Sequence, residues 1–152
     1  MNMLKLSALT VVLFACSLSL AFAEGIEANW RFLGATHKKA SGVETNLVWK
    51  FSSGKISWEP DNPSGYSGIK YSGRYRVFND TTPKRIDCWR DKFRDGQLLR
   101  TTYQKGIYKI EGDRLYIKFS KDETSYPKEF KWEGIEREEV LEFETIADIK
   151  TP

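Results

Sequence analysis

Apolar and polar side chains alternate with a period of two along most of the chain after residue 24. Tyr75 and Val77, for example, alternate with Arg74 and Arg76. Successive side chains of a β-strand point to opposite faces of a sheet, so this pattern predicts strands that each bury one face. Helical periodicity is weak throughout. The chain is therefore predicted to be all-β.

Turn-forming residues divide this pattern into about eight strands. Glycine, proline, asparagine and aspartate cluster between the alternating segments, and Ser53-Gly54 and Gly112-Asp113 are typical of hairpin turns. We predict loops at residues 59–68 and 91–96, and the first of these is a candidate rim or lid of a binding site. The predicted strands cover residues 30–36, 47–51, 56–58, 71–78, 84–90, 98–110, 115–119 and 140–146.

Eight antiparallel strands with one apolar face have a simple packing solution. Closing the sheet on itself buries the apolar face and removes both exposed edges. The interior of an eight-stranded barrel is filled by side chains or holds one small ligand. We therefore predict a single small eight-stranded antiparallel β-barrel, with Ile86 and Cys88 facing inward.

The start of the chain has the layout of a secretory signal peptide. Lys5 supplies the positive charge, residues 6–20 are mostly apolar, and Ala21-Phe22-Ala23 places small residues at the two positions that a signal peptidase reads. We predict that residues 1–23 are a signal peptide. Residues 24–152 then form one barrel domain, periplasmic or secreted, with no membrane span after cleavage.

Two alternatives to a cleaved signal peptide stay open. Residues 13–16 resemble a lipobox, which would leave Cys16 as a lipidated N-terminus that anchors the protein. The apolar stretch between Lys5 and Glu24 is also at the lower limit of what spans a bilayer, so an uncleaved anchor is the second alternative.

The composition argues against several functional classes. The chain has 24 basic and 21 acidic residues, and this near balance gives no basis for a nucleic-acid partner. After residue 23, Cys88 and His37 are the only cysteine and histidine, so neither an internal disulfide nor a His/Cys zinc site can form. No metalloprotease, dithiol, esterase or phosphate-loop motif is present. We predict a non-enzymatic protein without cofactor or metal, and a buried Cys88 thiol.

Three short blocks carry a resemblance to a known family. They are Thr-Pro-Lys-Arg-Ile-Asp at residues 82–87, Lys-Gly-Ile-Tyr-Lys-Ile-Glu-Gly-Asp-Arg-Leu at 105–115 and Tyr-Pro-Lys-Glu-Phe at 126–130. In this order the blocks resemble a lipocalin-like domain of secreted bacterial proteins, abundant in planctomycetes and largely uncharacterised. The resemblance implies a lipocalin-like barrel and brings no catalytic residues. The chain departs from the pattern at Tyr126, where similar domains carry arginine.

The chemistry of these blocks suggests structural roles for three of their residues. Gly106 predicts a bulge or a close approach of two backbones. Asp87 is expected to face outward or to cap a neighbouring loop. Phe130 is expected to plug one end of the barrel.

Aromatic residues make up 14% of the chain, and many fall on inward strand positions. They form either a filled core or an apolar cavity in which tyrosine hydroxyls orient a small hydrophobic ligand. The second interpretation gives the leading functional hypothesis, an exported small-molecule binding protein. Its candidate ligand-binding residues are Trp49, Phe51, Trp58, Tyr75, Tyr108 and Phe119.

The alternative hypothesis is a protein-interaction or inhibitor module with a filled barrel. Its partner, such as another envelope protein, would bind on the loops or on the charged surface. Charge is distributed unevenly, since residues 84–131 are mainly basic and residues 132–152 mainly acidic.

Overall fold

A computed structural model describes residues 25–36, 38–39, 47–60, 69–132, 134 and 139–146. The predicted signal peptide, Cys16, His37 and residues 61–68 lie outside this set. The described residues form nine strands and contain no helix long and apolar enough to cross a membrane. In chain order the strands are β1 (Asn29–Ala35), β2 (Lys38–Lys39), β3 (Leu47–Ser52), β4 (Lys55–Pro60), β5 (Ile69–Phe78), β6 (Lys84–Arg94), β7 (Gln97–Glu111), β8 (Arg114–Phe119) and β9 (Val140–Thr145).

The sheet closes because β1 pairs with both β3 and β9. From β3 to β9 every strand pairs antiparallel with the next along the chain. The register of the closing pair places Phe32 opposite Phe143, with an irregularity between Phe32 and Gly34. The two-residue strand β2 pairs only with the end of β1. The predicted eight-stranded antiparallel barrel is therefore confirmed, with β2 as an additional strand, and it is consistent with a lipocalin-like architecture.

The predicted loop at residues 91–96 is wrong. β6 continues to Arg94, where Asp91 pairs with Thr101 and Lys92 pairs with Arg100 of β7. The turn is reduced to Asp95 and Gly96, which both have positive φ angles. The polar composition of this segment therefore does not mark a loop. It reflects a hairpin whose side chains are partly or fully exposed, so no apolar alternation is required there.

The predicted loop at residues 59–68 is also too long. Its first two residues belong to β4, which ends at Pro60. Residues 61–68 lie outside the described set, so the prediction that this loop forms a rim or lid stays a prediction.

One end of the barrel is sealed by residues 25–28, and we call it the closed end. Ile26 is only 2% exposed and belongs to the hydrophobic core. The carboxylate of Glu27 accepts hydrogen bonds from the Tyr75 hydroxyl at 3.1 Å and from the Ser53 backbone N–H at 2.9 Å. The Trp30 indole N–H donates to the Ile26 carbonyl at 2.9 Å. These bonds hold the segment across the turns that join β3 to β4.

The inner face near the closed end is densely packed. Ile86 and Cys88 are fully buried there, as predicted. Gly106 confirms the predicted close approach, since a Cβ at this position would lie 2.9 Å from both the Lys118 carbonyl oxygen and the Phe119 ring. A larger residue at position 106 would therefore force β7 and β8 apart.

Asp87 lies on the outer face of β6 and is nevertheless 1% exposed. Its carboxylate accepts hydrogen bonds from the Tyr126 hydroxyl at 2.6 Å and from Arg76 Nη2 at 2.9 Å. Tyr126 belongs to residues 120–132, which follow β8 and which we call the outer segment. Asp87 therefore faces outward, as predicted. Its hydrogen bond with Tyr126 attaches the outer segment to the wall of the barrel.

The prediction that Phe130 plugs one end of the barrel is wrong, because this residue lies in the outer segment. The Lys109 ammonium lies 5.3 Å from the centre of the Phe130 ring. Lys109 alternates with the inward residues Tyr108 and Ile110, so it faces outward. Phe130 therefore covers part of the outer wall, and sequence pattern alone could not distinguish the two surfaces.

Replacing Tyr126 by phenylalanine is expected to lower the free energy of unfolding by about 1–3 kcal/mol, because a buried carboxylate loses a hydrogen-bond donor. Burial and the bond to Asp87 raise the pKa of Tyr126 to about 12. The stabilisation is therefore complete below the ordinary tyrosine pKa near 10 and is lost as the pH rises through about 12. Urea unfolding at pH 7 and pH 11 measures both effects.

The matched control is Tyr116→Phe. The Tyr116 side chain also lies beside a lysine on the outer wall, since Lys109 is 4.9 Å from its ring, but its hydroxyl has no hydrogen-bond partner among the described residues. This control is expected to change stability by less than about 0.5 kcal/mol. Equal effects of the two substitutions would contradict the role of the Asp87 contact.

The Cys88 thiol is expected to react with a disulfide reagent at least about a hundredfold more slowly in the folded protein than in urea, because only the exposed thiolate is reactive. Burial raises the pKa of this thiol to about 12. Peptide mapping by mass spectrometry measures labelling at Cys88 itself. Leu98→Cys, at a position 52% exposed, is the control that should label rapidly in the folded state. Rapid labelling of Cys88 would contradict the inward register of β6.

Candidate functional site

Along β6 the inward residues change from buried and apolar at one end of the barrel to partly exposed and cationic at the other. Ile86 and Cys88 are fully buried, whereas Arg90 and Lys92, the next two residues of the same parity, are partly exposed. Exposure therefore rises away from the closed end. We call the opposite end, where β6 turns into β7, the open end.

β7 shows the same change on the facing positions. Tyr108 and Gly106 are buried, Gln104 and Thr102 are partly exposed, and Arg100 is exposed. The register pairs Gln104 with Cys88, Thr102 with Arg90, and Arg100 with Lys92. The two strands together line the open half of the barrel with polar and cationic side chains.

Arg90 lies inside the barrel. Its guanidinium carbon is 5.8 Å from the centre of the Trp58 ring and 5.2 Å from the centre of the Phe119 ring. Trp58 is on β4 and Phe119 is on β8, each two strands away from β6 on opposite sides. A single side chain can approach both rings only by extending into the interior.

Two buried polar atoms in this half of the barrel have no hydrogen-bond partner among the described residues, namely Arg90 Nε and Gln104 Oε1. Arg90 also forms no ion pair within the described part of the chain. Burial lowers the pKa of Arg90, and the nearby positive charge of Arg100 lowers it further, although arginine stays protonated in proteins. Contact with two aromatic rings offsets part of the desolvation. Unsatisfied atoms of this kind are uncommon in a core that serves only packing.

Three stacked aromatic rings line the wall beside Arg90. Trp49 and Trp58 lie 5.0 Å apart with an interplanar angle of 19°, and Trp58 and Tyr71 lie 4.8 Å apart at 13°. The Lys92 ammonium lies 5.9 Å from the centre of the Tyr71 ring. The register explains the stack, because Trp49 pairs with Trp58 and Trp58 pairs with Tyr71 across β3, β4 and β5.

All six predicted ligand-binding residues point into the barrel and belong to its core, but they do not form one site. Trp49, Trp58 and Phe119 border the cationic half. The other three pack in the closed half: Phe51, Tyr75 and Tyr108.

The two tyrosine hydroxyls predicted to orient a ligand already have protein partners. Tyr75 donates to Glu27, and burial together with this bond raises the pKa of Tyr75 to about 12. Tyr108 donates to the Asn79 side chain. Both bonds lie at the closed end, so these hydroxyls stabilise that end of the barrel. The polar groups of the open half come from other residues.

Sequence reasoning missed the four residues that distinguish the open half, Tyr71, Arg90, Lys92 and Gln104. The signal was available in the alternation that predicted Ile86 and Cys88 to face inward, since extending it by two and four residues gives Arg90 and Lys92. The predicted strand at residues 84–90 already included Arg90, and the predicted turn at residues 91–96 ended the alternation before Lys92. Charged residues are also rarely buried, which favoured an exposed assignment.

The arrangement offers two kinds of contact to a bound molecule. Guanidinium, ammonium and amide groups provide hydrogen bonds, and the stacked rings provide apolar surface, a combination typical of small-molecule sites. The described residues include no group of three or more His, Cys, Asp or Glu side chains placed to hold a metal ion.

Comparison of the chain with family models, with curated proteins and with solved structures gives no match. The resemblance of the three blocks to a lipocalin-like family therefore stays a prediction, and a functional argument rests on the geometry of the open half of the barrel.

Proposed function

We propose that this protein is a non-enzymatic binding protein that takes a small molecule with an apolar body into the open half of its barrel. The observation that carries the proposal is the interior position of Arg90, in contact with Trp58 and Phe119 and without a hydrogen-bond partner for Nε. A buried polar atom gains about 1–3 kcal/mol when it acquires a hydrogen-bond partner, and a polar group of a bound molecule would supply that partner.

The gradient of exposure along the barrel supports the same proposal. The closed half already has its hydroxyls paired and its inward side chains almost fully buried. The open half has partly exposed inward residues beside a wall of stacked rings. A ligand that covers these rings would bury apolar surface, which contributes about 25 cal/mol per Å².

The proposed location is outside the cytoplasm. Residues 1–23 have the features of a secretory signal peptide, and attachment through Cys16 is the alternative form of the same exported protein. An exported barrel with an accessible interior suits a protein that carries or sequesters a small molecule.

Uptake of a neutral apolar dye tests this proposal. N-phenyl-1-naphthylamine is expected to gain fluorescence with saturation near one dye per chain. Thr102→Trp, which fills an inward position at the open end, is expected to weaken dye binding by at least about tenfold, or about 1.4 kcal/mol. The control is Thr101→Trp on the adjacent outward position, which should change dye affinity by less than about twofold.

Native mass spectrometry of protein purified from its own host provides a second readout, with a bound small molecule as the expected result. Absence of both dye uptake and a co-purified molecule would overturn the proposed function. Equal weakening by the two tryptophan substitutions would show that the dye binds outside the barrel.

The second candidate function is the recognition of a protein partner. The hairpin of β6 and β7 exposes Leu98 and Leu99, which are 52% and 47% exposed and lie close to Arg94 and Arg100. Large exposed apolar side chains beside positive charge are typical of interaction surfaces.

A double substitution of Leu98 and Leu99 by serine separates the two candidate functions. If the hairpin binds a protein, this variant loses a partner that the unchanged chain retains from an envelope extract of its host. Dye uptake should be unaffected, because both leucines are exposed at the tip of the hairpin. A partner that is retained equally by the variant would exclude the hairpin as its binding site.

A further inference from the structure

We propose that the ligand is an anion, an apolar molecule whose carboxylate or phosphate group binds against Arg90. This inference deepens the proposed function and depends on it. It assigns Arg90 as the residue that determines which class of molecule enters the barrel.

The charges on the inward strand positions favour an anion. Arg90, Lys92 and Arg100 occupy neighbouring inward positions on β6 and β7, where Arg90 pairs with Thr102 and Lys92 pairs with Arg100. Within the described part of the open half, no inward strand position carries a carboxylate. Like charges in a region of low dielectric repel one another strongly, and an anion from outside the chain would relieve that repulsion.

The acidic residues nearest to Arg90 in sequence already form hydrogen bonds on the outer face of the sheet. Asp87 faces outward and binds Tyr126 and Arg76. Asp91 also faces outward, where it accepts a hydrogen bond from the Thr101 hydroxyl at 2.5 Å. Because the strand alternates, neither carboxylate can turn inward to neutralise Arg90. Among the described residues, therefore, no carboxylate of β6 can pair with the guanidinium, and an anionic ligand would supply the missing negative partner.

The unpaired atoms fit the same class of ligand. Arg90 Nε–H is a buried donor, and a guanidinium binds carboxylate and phosphate oxygens through parallel hydrogen bonds. Gln104 lies on the same inner face, two residue pairs deeper than Arg90, which makes it the next inward position. Its unpaired side-chain oxygen would accept a bond from a hydroxyl or N–H group near the acidic group.

A purely structural role for Arg90 gives a different expectation. If its contacts with Trp58 and Phe119 hold the core together, removing the guanidinium destabilises the fold. If the charge is retained for binding, an apolar side chain of similar length leaves stability unchanged or raises it, because an unpaired buried charge is removed. Arg90→Met is therefore expected to melt at the same temperature as the unchanged protein or a higher one.

The affinity test compares two dyes of nearly the same apolar body, using the chain expressed from Met1 to Pro152. 1-Anilinonaphthalene-8-sulfonate is an anion, and N-phenyl-1-naphthylamine is neutral. The anionic dye is expected to bind at least about tenfold more tightly, in line with a charge-assisted hydrogen bond. This preference should disappear in Arg90→Met. It should persist in the matched control Arg74→Met, which removes an outward arginine lying 5.4 Å from the Trp89 ring.

Displacement of the bound dye then identifies the acidic group. Decanoate, decyl phosphate and decanol share one apolar chain and differ in the head group. Tighter competition by decanoate or by decyl phosphate supports the proposal and tells which oxygen group is preferred. Equal competition by decanol overturns it, although the proposed function survives because apolar binding is retained. Failure of both dyes to bind overturns the proposed function together with this inference.

A second variant covers the case in which Arg90→Met does not fold. Arg90→Lys keeps the positive charge but loses the planar arrangement of donors, and it is expected to reduce the preference for the anionic dye by about threefold or more. An unchanged preference in Arg90→Lys would overturn the assignment of Arg90 as the anion-binding residue. A clear fall in melting temperature for Arg90→Met without loss of anion preference would do the same.

Discussion

The pairing of β1 with β9 is the interaction on which the rest of the structure depends. It converts a sheet with two open edges into a cylinder, and it brings Phe32 opposite Phe143 at the seam. Closure creates an interior in which side chains from distant strands meet. Arg90 approaches Trp58 and Phe119 because β4 and β8 face each other across that interior. An open sheet would leave the same guanidinium in solvent, where it would have no special property.

The two halves of the barrel interior differ in packing and in charge. The closed half contains the segment of residues 25–28, the hydroxyl bonds of Tyr75 and Tyr108, and the fully buried residues Ile86 and Cys88. That half provides most of the hydrophobic stabilisation, because its inward side chains are almost fully buried. The open half gives up part of this stabilisation by placing cations at inward positions. The proposed binding site and the main hydrophobic core therefore lie in different halves of one small barrel.

The outer wall shows that burial in this protein is not limited to the barrel interior. Asp87 is as inaccessible as the core residues, yet it faces outward and is enclosed by Tyr126 and Arg76. The Tyr126 hydroxyl donates one of the hydrogen bonds that satisfy this carboxylate. An arginine at position 126 would place a second positive charge beside Asp87, in addition to that of Arg76. A substitution at position 126 would therefore alter how the outer segment is attached to the barrel wall.

Much of the fold was predictable from sequence because strand alternation is a local property. The inward positions of Ile86, Cys88 and Tyr75 follow from the period of two, and a glycine at position 106 indicates a bulge or a close backbone approach. The boundaries of β6 were less predictable. The polar residues of its second half resemble a turn unless the pairing with β7 is known.

The sequence by itself determined the all-β class, the alternation of faces along the strands and the apolar residues of the core, since each of these depends on neighbours in the chain. Only the tertiary structure decided which inward residues share a site. It separated Trp58 and Phe119 from Tyr108, it paired the tyrosine hydroxyls at the closed end, and it left Arg90 beside aromatic rings without an acidic partner in the described part of the chain. The reason is physical: the environment of a charge depends on groups that are distant along the chain, and barrel closure brings them together.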